Sequence, residues 1–475
     1  MNRAIRRVTI VAGLLIMALL VNATAAYLFR YQSLNNDPQN RRVQQAQFGE
    51  PRGAILAGNT PIASTAAATG DFAYLRTYAD GPLYAPVTGF YSFIYGRSKL
   101  DQAYNAALTG TSNSQAISQL INSLTNQPPA VGSVQTTINP KAQQAAWNAL
   151  KGLQGAVVAM DYSTGAILAY VSAPSYDPAQ LSSGDLKATQ EAWASLNADP
   201  AAPMSDRAGR EIYPPGSTFK LVTAAAALEA GWTPDTMVAS PDKLTLPGTN
   251  TQLGNVEKCG GDQISLQTAL QVSCNTAFAN VGLSIGQDAI AAQADKFGFG
   301  SSFGGDVNSV TSSFPTGLND SQTAMSAIGQ YDVTASPLQM AVVAAAIANN
   351  GLVMQPYFVS EVRGADLSPI SRHTPVSQGQ AVSANTAQEL QQMMRAVVAQ
   401  GTGTRAQVPG LTIGGKTGTA QSDNQRAPYA WFIGYAAELH VAICVFVENS
   451  PTNDDQFGGT TAAPIFRKVV QSLQG

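Results

Sequence analysis

A long apolar run occupies residues 8–29, close to the N-terminus. Its 22 residues are enough to cross the hydrocarbon core of a bilayer as a helix, which rises about 1.5 Å per residue. Arg3, Arg6 and Arg7 precede the run, which predicts that residues 1–7 stay in the cytoplasm and the remainder faces outward. Ala-Thr-Ala at 23–25 resembles a signal-peptidase site, so a cleaved signal peptide is the alternative to a retained anchor. The apolar stretch continues beyond this site, which favours the retained anchor.

Later apolar segments alternate with turns and predict a mixed α+β domain. The apolar runs 155–161 and 166–171 are separated by Tyr-Ser-Thr-Gly, which predicts a β-hairpin. Residues 439–447 predict a buried strand, and residues 140–151, which a proline opens, predict a helix. A loop-rich region, with Asp-Pro at 177–178 and Asp-Arg-Ala at 206–208, is predicted after the hairpin.

Two polar or proline-rich stretches predict the domain boundaries. Residues 31–47 are rich in Asn, Gln and Arg and suit a juxtamembrane linker. Gln-Pro-Pro-Ala-Val-Gly at 127–132 predicts a boundary between an N-terminal module, residues 30–132, and a larger domain, residues 133–475. The tyrosine-rich stretch 71–110 has the character of a docking or spacing module. A chain of 475 residues is long enough for two or three domains.

Composition excludes several classes of function. The chain is 45% apolar and 12% charged with a net charge of -3, which argues against nucleic acid as the main partner. His373 and His440 are the two histidines of the sequence, so a histidine-rich metal site is excluded. His373 lies in a polar loop and His440 at the edge of the predicted strand 439–447. Neither position suits a tuned general base, which favours lysine for that role.

The three cysteines have neither zinc-ligand nor Cys-x-x-Cys spacing. Cys444 lies within the apolar run and is most simply a buried core thiol. Cys259 and Cys274 would form a disulfide in an oxidising compartment, but the sequence alone leaves the bonded and the free forms equally open.

The first candidate for chemistry is Tyr-Pro-Pro-Gly-Ser-Thr-Phe-Lys at 213–220. The prolines and glycine prevent regular structure before an Ala/Leu-rich run of high helix propensity, so Ser217 is predicted to be the N-cap of that helix. Ser217 and Lys220 would then share one helix face. A hydroxyl beside an amine is an activated nucleophile that needs no histidine. A capping serine with a solvated lysine explains this octapeptide equally well.

The second candidate is Ser-Cys-Asn at 273–275, between two predicted helices. A turn between helices would aim Ser273 and Asn275 into a cleft. Another Ser-x-Asn, at 383–385, opens a predicted helix and is explained by capping. A second Ser-x-x-Lys, at 240–243, has proline after the serine and no helical run behind it, so we assign it to a loop.

The third candidate is Lys-Thr-Gly-Thr at 416–419, which lies between predicted strands. Small residues around Lys416 would let a strand lie close beside a ligand, and Gly418 is one of them. Lys416 offers a charge for a carboxylate, while Thr417 and Thr419 offer hydroxyls. The segment lacks the spacing of a phosphate-binding loop. A strand edge protected by a lysine is the plain alternative.

In this order, the three motifs resemble those of the penicillin-recognising serine enzymes. Flanking sequences resemble the class B penicillin-binding proteins, and most closely the actinobacterial PbpA type. They lie at 52–55, 96–101, 173–178, 457–459 and 462–466. The resemblance implies an antiparallel sheet flanked by helices with a helical lobe, preceded by an elongated mixed module and one transmembrane helix. The chain departs from the family at 57–60 and in having Cys274 inside the second motif.

The resemblance also implies a D,D-transpeptidase that cross-links peptidoglycan stem peptides. Ser217 would attack the penultimate D-alanine to form an acyl-enzyme, and Lys220 would accept the serine proton. Ser273 would pass a proton towards the leaving amine, and Asn275 would orient the peptide amide and Lys220. No metal or organic cofactor is implied.

The remaining motif residues are implied to bind the substrate. Lys416, Thr417 and Thr419 would hold its terminal carboxylate, with Gly418 between them. The backbone N–H groups of Ser217 and Thr419 would form the oxyanion hole.

The implied ligands and partners are stem peptides ending in D-Ala-D-Ala, β-lactam antibiotics and a SEDS-family glycosyltransferase in the cell membrane. A D,D-carboxypeptidase shares every motif and is an alternative. A β-lactamase is disfavoured because no Glu-x-x-x-Asn element is identified. A catalytically idle β-lactam sensor or division scaffold is the alternative from another class, and the intact motifs argue against it.

Overall fold

A computed structural model describes residues 3–35, 37, 48–115, 124–125, 130–421, 427–450 and 456–474. Most of the predicted linker at 31–47 and part of the predicted boundary at 127–132 lie outside these residues.

The described strands, β1 to β19 in chain order, are Ile55–Ala57, Thr60–Ala67, Tyr74–Tyr78, Tyr91–Ser92, Gly96–Arg97, Ser133–Thr136, Gln154–Asp161, Ile167–Ala173, Met237–Ala239, Lys243–Thr245, Gln252–Gly254, Gln263–Ser265, Leu352–Met354, Val359–Arg363, Pro369–Arg372, Ser377–Gln380, Ile413–Ala420, Tyr429–Ala436 and Val441–Asn449. The described α-helices, α1 to α15, are Arg3–Ala25, Tyr31–Asn35, Gly81–Thr88, Lys99–Ala103, Asn105–Leu108, Pro140–Ala149, Leu186–Ala198, Lys220–Glu229, Leu266–Gln271, Asn275–Ile285, Gln287–Lys296, Asp320–Ser326, Pro337–Ala348, Ala384–Gln400 and Ala463–Ser472.

The larger domain is built on an antiparallel sheet with the strand order β17-β18-β19-β7-β8. The predicted hairpin forms its β7-β8 edge, and β17, which carries Lys416, forms the opposite edge. The predicted helix at 140–151 is α6. The mixed fold with an antiparallel sheet is therefore confirmed.

Both faces of this sheet are covered by helices, as the strand β19 illustrates. All its residues from Val441 to Val447 are buried. Ala442, Cys444 and Phe446 belong to the core that includes α13, whereas the odd-numbered residues belong to the core that includes α6 and α15. A strand with two covered faces reads as a continuous apolar run, because neither set of alternating side chains faces water.

A helical lobe packs beside the sheet and carries the candidate nucleophile region. Helix α8 is buried from Lys220 to Leu228 and packs against α10, α11 and α14. Its run of alanines lets these neighbours approach closely. The predicted loop-rich region also contains a helix that the sequence analysis did not indicate, α7, whose N-cap Asp185 accepts hydrogen bonds from two backbone N–H groups.

The N-terminal module contributes three strands to a second sheet, with the order β15-β14-β6-β1-β2-β3. Strand β1 pairs in parallel with β6, and the other pairs are antiparallel. Because β6, β14 and β15 come from beyond residue 132, this sheet draws on both sides of the predicted domain boundary. An ion pair between Lys99 and Asp206 further joins the module to the larger domain.

The N-terminal apolar run forms helix α1 and continues through the π-helical turn Ala26–Arg30. Over the part of the chain that the structure describes, Ile5–Arg30 is the one helix with the length and composition needed to span a membrane. No residue of its most apolar window is buried against the protein. The helix is consistent with a single-pass anchor.

Candidate active site

Ser217 lies in a 3-10 turn, Gly216–Thr218, that leads into helix α8 at Lys220. The prediction that Ser217 is the N-cap is therefore wrong, since the N-cap is Phe219. Two hydrogen bonds hold this tight turn before the helix. The N–H of Phe219 donates to the Gly216 carbonyl at 2.9 Å, and the Thr218 hydroxyl donates to the Pro215 carbonyl at 2.7 Å.

The turn that carries Ser217 packs directly against strand β17. Gly216 has φ of +51°, and a Cβ there would lie 2.8 Å from the carbonyl oxygen of Thr419. A Cβ on Gly418 would lie 2.8 Å from the Thr218 side chain and 3.0 Å from the Pro215 oxygen. Glycine at both positions brings the first and third motifs together.

Lys220 is fully buried and points at the second motif. Its Nζ donates to Asn275 Oδ1 at 2.7 Å and to the Ser273 carbonyl at 2.8 Å, with Ser273 Oγ at 3.4 Å. Burial lowers the pKa of Lys220 well below its ordinary value, and the nearby charge of Lys416 lowers it further. A neutral amine is the form that accepts a proton.

Ser273 occupies the turn between α9 and α10 with φ of +61°. This left-handed conformation turns the chain sharply before Asn275, the first residue of α10. Both side chains of the Ser-x-Asn motif reach Lys220.

Lys416 is also fully buried, in β17. Its Nζ donates to Ser273 Oγ at 2.8 Å and to the Thr417 carbonyl at 2.9 Å. Burial lowers the pKa of Lys416 to about 7. The Ser273 hydroxyl therefore lies between two buried amines.

A cavity of about 520 Å³ opens beside this cluster. Ser217, Asn275 and Thr419 line it together with apolar residues such as Leu253 and Phe457. A cavity of about 570 Å³ around Trp147 shares no lining residue with it and contains none of the candidate residues. The cleft beside Ser217 is therefore the candidate active site.

Sequence reasoning missed two residues that support the site. Thr402 shares a 2.6 Å hydrogen bond between its hydroxyl and that of Thr417, which is itself buried. Asn255 lines the cavity and accepts a hydrogen bond from the backbone N–H of Asn275. Neither belongs to a motif, and both lie in loops far from their partners in sequence, so no local pattern marks them.

Cys259 and Cys274 form a disulfide, which decides the question that the sequence left open. Cys444 is buried and free, as predicted. His373 stacks on Tyr357 with ring centroids 3.7 Å apart, and His440 is exposed in the turn before β19. Neither histidine joins the cluster around Ser217, so its candidate bases are the buried lysines.

The other Ser-x-Asn and Ser-x-x-Lys sequences considered above, at 383–385 and 240–243, have structural roles. Ser383 is the N-cap of α14 and accepts from the N–H of Thr386 at 3.1 Å, as predicted. Ser240 donates to the Gly261 carbonyl, while Lys243 is exposed. No group of His, Cys, Asp and Glu suited to a metal occurs among the residues that the structure describes.

Two family models match the sequence. The penicillin binding protein transpeptidase domain matches residues 155–471, and the penicillin binding protein A dimerisation domain matches residues 52–134. The first match contains all three motifs. The second begins at the Arg-Gly-Ala-Ile sequence of the N-terminal module.

Whole-chain relatives agree with these matches. A peptidoglycan D,D-transpeptidase PbpA of Mycolicibacterium smegmatis is 42% identical over 99% of this chain and 98% of its own length. The PbpA of Mycobacterium tuberculosis is 40% identical over 100% of both chains. The structure of penicillin-binding protein A from M. tuberculosis in its penicillin G acyl-enzyme complex superposes with a TM-score of 0.84, at 39% identity, over 89% of this chain and 99% of that chain.

Proposed function

Because this chain belongs to the class B penicillin-binding proteins, we propose that it is a peptidoglycan D,D-transpeptidase acting through Ser217. The observation that carries the proposal is the position of the Ser273 hydroxyl between two buried amines, Lys220 and Lys416. A catalytically idle scaffold has no need for two buried lysines, because burial disfavours their protonated, charged forms.

In the acylation step, Ser217 Oγ attacks the carbonyl carbon of the penultimate D-alanine. The neutral amine of Lys220 takes the hydroxyl proton, and the carbonyl electrons move to oxygen. The backbone N–H groups of Ser217 and Thr419 stabilise that oxyanion. Collapse of the tetrahedral intermediate breaks the peptide bond and leaves the acyl group on Ser217.

The leaving D-alanine needs a proton on its nitrogen. We assign this delivery to Ser273, whose hydroxyl lies 3.4 Å from Lys220 Nζ, so that the proton passes from Lys220 through Ser273 to the amine. Asn275 orients Lys220 through its 2.7 Å hydrogen bond. Free D-alanine then departs.

The substrate's terminal carboxylate binds along the edge strand β17. Lys416 supplies the positive charge, and Thr417 and Thr419 supply hydroxyls. Because Gly418 has no side chain, the turn that carries Ser217 packs directly against this strand. This packing fixes the distance between the carboxylate site and Ser217.

An amine from a second stem peptide then attacks the acyl-enzyme and forms the cross-link. It loses its proton through Ser273 to Lys220, the acyl bond to Ser217 Oγ breaks, and that oxygen takes the proton from Lys220. A β-lactam enters by the same attack but keeps its leaving amine attached, which slows release. The protein is therefore a β-lactam target in this proposal.

Intact-mass spectrometry after exposure to penicillin G, with wild type beside Ser217→Ala, tests the nucleophile. We expect one slowly released adduct on the wild type and none on the variant. An adduct on Ser217→Ala would contradict the assignment. Absence of an adduct on folded wild type would favour the scaffold.

Products from a D-Ala-D-Ala stem peptide, incubated with and without an acceptor amine, separate transpeptidase from carboxypeptidase. We expect the aminolysis product to exceed the hydrolysis product when the acceptor is present. Hydrolysis that the acceptor does not reduce would identify a carboxypeptidase.

We also propose the division of the chain into a cytoplasmic tail, 1–7, an anchor, 8–29, an N-terminal module, 30–132, and a transpeptidase domain, 133–475. The anchor would hold the catalytic domain on the outer side of the cell membrane, in agreement with the basic residues before it. A disulfide near the site suits this oxidising side. N-terminal mass analysis of membranes would overturn the anchor if the chain began at Ala26.

A SEDS-family glycosyltransferase is the partner that we propose for the N-terminal module. Deleting residues 50–110 is a poor test, because β1 to β3 share their sheet with β6 and β14. Thr77 is exposed on the edge strand β3 and suits a surface substitution instead. We expect Thr77→Arg to weaken co-purification of the two membrane proteins, and unchanged co-purification would contradict docking at this edge.

A further inference from the structure

Helix α10, which begins with the motif residue Asn275, lacks a cap from its own sequence. Its N-cap is Cys274, whose side chain makes no capping hydrogen bond. Asn255, twenty residues upstream of Asn275, supplies the missing acceptor: its Oδ1 accepts from the N–H of Asn275 at 2.8 Å and from the N–H of Thr276 at 3.0 Å. The first turn of the helix is thus capped from a separate loop.

The same loop fixes the side chain of Asn275. The Asn275 Nδ2 donates to the carbonyl oxygen of Gly254 at 3.0 Å. With its nitrogen held there, the amide presents Oδ1 to Lys220 Nζ at 2.7 Å. The hydrogen-bond partners therefore select one of the two orientations of this amide.

Further bonds attach this loop to the start of α10. Asn255 Nδ2 donates to Thr276 Oγ1 at 3.1 Å, and Thr276 Oγ1 donates to the Pro241 carbonyl at 2.8 Å. The Cys259–Cys274 disulfide joins the end of the loop covalently to the N-cap residue. Asn255 itself is partly exposed and lines the active-site cavity.

We propose that Asn255 is a positioning residue for acylation, acting through Asn275 to keep the Asn275 amide on Lys220. The proposal rests on the proposed function, because it needs Asn275 and Lys220 to serve acylation. Asn255 makes no contact with Lys220 itself among the hydrogen bonds of the described residues. Its effect therefore passes through the backbone and side chain of Asn275.

A double-mutant cycle distinguishes positioning from a general contribution to the fold. Second-order acylation by a fluorescent penicillin is measured for wild type, Asn255→Ala, Asn275→Ala and the double variant. We expect Asn255→Ala to slow acylation about 10-fold, as small displacements of a catalytic group do. In the Asn275→Ala background the same change should have less than about a 2-fold effect, because its target is already absent.

Asn280→Ala is the matched control. Asn280 lies on the same helix and ties it to the neighbouring strand β9 through a 2.8 Å hydrogen bond to the Ala239 carbonyl. We expect this variant to acylate at the wild-type rate. A slowing equal to that of Asn255→Ala would overturn the proposal, because the loss of any hydrogen bond that holds α10 would then slow acylation.

The pH profile of acylation gives a second readout. Asn275 Oδ1 accepts from Lys220, and losing that acceptor disfavours the protonated amine. Ser273, Lys416 and the ring of Phe278 also face Lys220, and none of them changes in Asn255→Ala. The rising limb should therefore move to lower pH in both Asn255→Ala and Asn275→Ala; an unmoved limb in Asn255→Ala alone would overturn the proposal.

A crystal structure of Asn255→Ala tests positioning without relying on activity. We expect Asn275 Oδ1 to leave hydrogen-bond distance of Lys220 Nζ, and an unchanged contact would overturn the proposal. If the wild type formed no penicillin adduct, the proposed function would fail while this structure still decided whether Asn255 positions Asn275. A rate loss of equal factor in both backgrounds of the cycle would also count against the proposal.

Discussion

Lys416 Nζ donates a 2.8 Å hydrogen bond to the hydroxyl oxygen of Ser273, which also lies 3.4 Å from Lys220 Nζ. Two amines this close in a dry site repel each other when both are protonated. Burial lowers the pKa of both, and the charge of Lys416 lowers that of Lys220 further. Lys220 is therefore the amine that loses its proton more readily, which agrees with the proposed roles of Lys220 as the base and Lys416 as the cation for a carboxylate.

Ser273→Ala should slow acylation by penicillin about 100-fold, the scale of a lost proton-transfer group. The substitution removes a hydroxyl oxygen that contacts both amines, so the proton on Lys220 loses its proposed route to the leaving nitrogen. Stopped-flow or mass-resolved acylation kinetics measure the change.

Ser383→Ala is the control for this prediction, since it alters the serine of another Ser-x-Asn sequence in the larger domain. Ser383 caps α14, so its loss should lower the free energy of unfolding by about 1 kcal/mol and leave acylation unchanged. Wild-type acylation by Ser273→Ala would remove Ser273 from the mechanism.

The rate of acylation should rise with pH as Lys220 loses its proton. In Lys416→Met the nearby positive charge is gone, so the protonated form of Lys220 is favoured and its pKa rises. We therefore expect the rising limb of the pH–rate profile to move to higher pH in this variant, which acylation by penicillin measured across the neutral and alkaline range would detect.

Lys243→Met serves as the control, because Lys243 is exposed in the other Ser-x-x-Lys sequence. Its profile should superimpose on that of wild type. A rising limb that stays in place in Lys416→Met would contradict the electrostatic coupling of the two lysines.

The sequence predicted the parts of the fold whose signals are local. A continuous apolar run indicated the doubly covered strand β19, and the turn between two apolar runs indicated the β7–β8 hairpin. Three short motifs indicated the site, because each places its residues within four positions. Helix α7 was missed although Asp185 caps it, since its mostly exposed faces offer little apolar periodicity.

Features that depend on distant contacts were beyond local patterns. The joining of β14 to β6 unites segments more than two hundred residues apart, and hydrophobic alternation does not specify a partner strand. The 3-10 turn at Ser217 depends on the packing of Gly216 against Thr419, a contact between the first and third motifs. The cap that Asn255 provides is hidden for the same reason.

Removing the Cys259–Cys274 disulfide should lower the free energy of unfolding by about 3 kcal/mol, the value for a closed loop of about 15 residues. Chemical denaturation of Cys259→Ser/Cys274→Ser against wild type measures this. A reductant should destabilise the wild type and leave the double variant unaffected, because Cys444 is buried and free. Equal stability of the two proteins would show that the loop is held by its hydrogen bonds alone.

Asp101→Asn should destabilise the N-terminal module by about 3–5 kcal/mol, because it leaves buried cations without their counter-charge. The Asp101 carboxylate is fully buried, 2.8 Å from Arg52 Nε and 3.1 Å from an Arg76 nitrogen. It joins α4, the segment before β1 and strand β3. Asp71→Asn, at an exposed position, should unfold like the wild type. Calorimetry of both variants measures the difference, and equal unfolding temperatures would show that the cluster gives no net stability. At temperatures where Asp101→Asn stays folded, penicillin should acylate Ser217 at the wild-type rate, because the cluster belongs to the sheet that does not carry the active site.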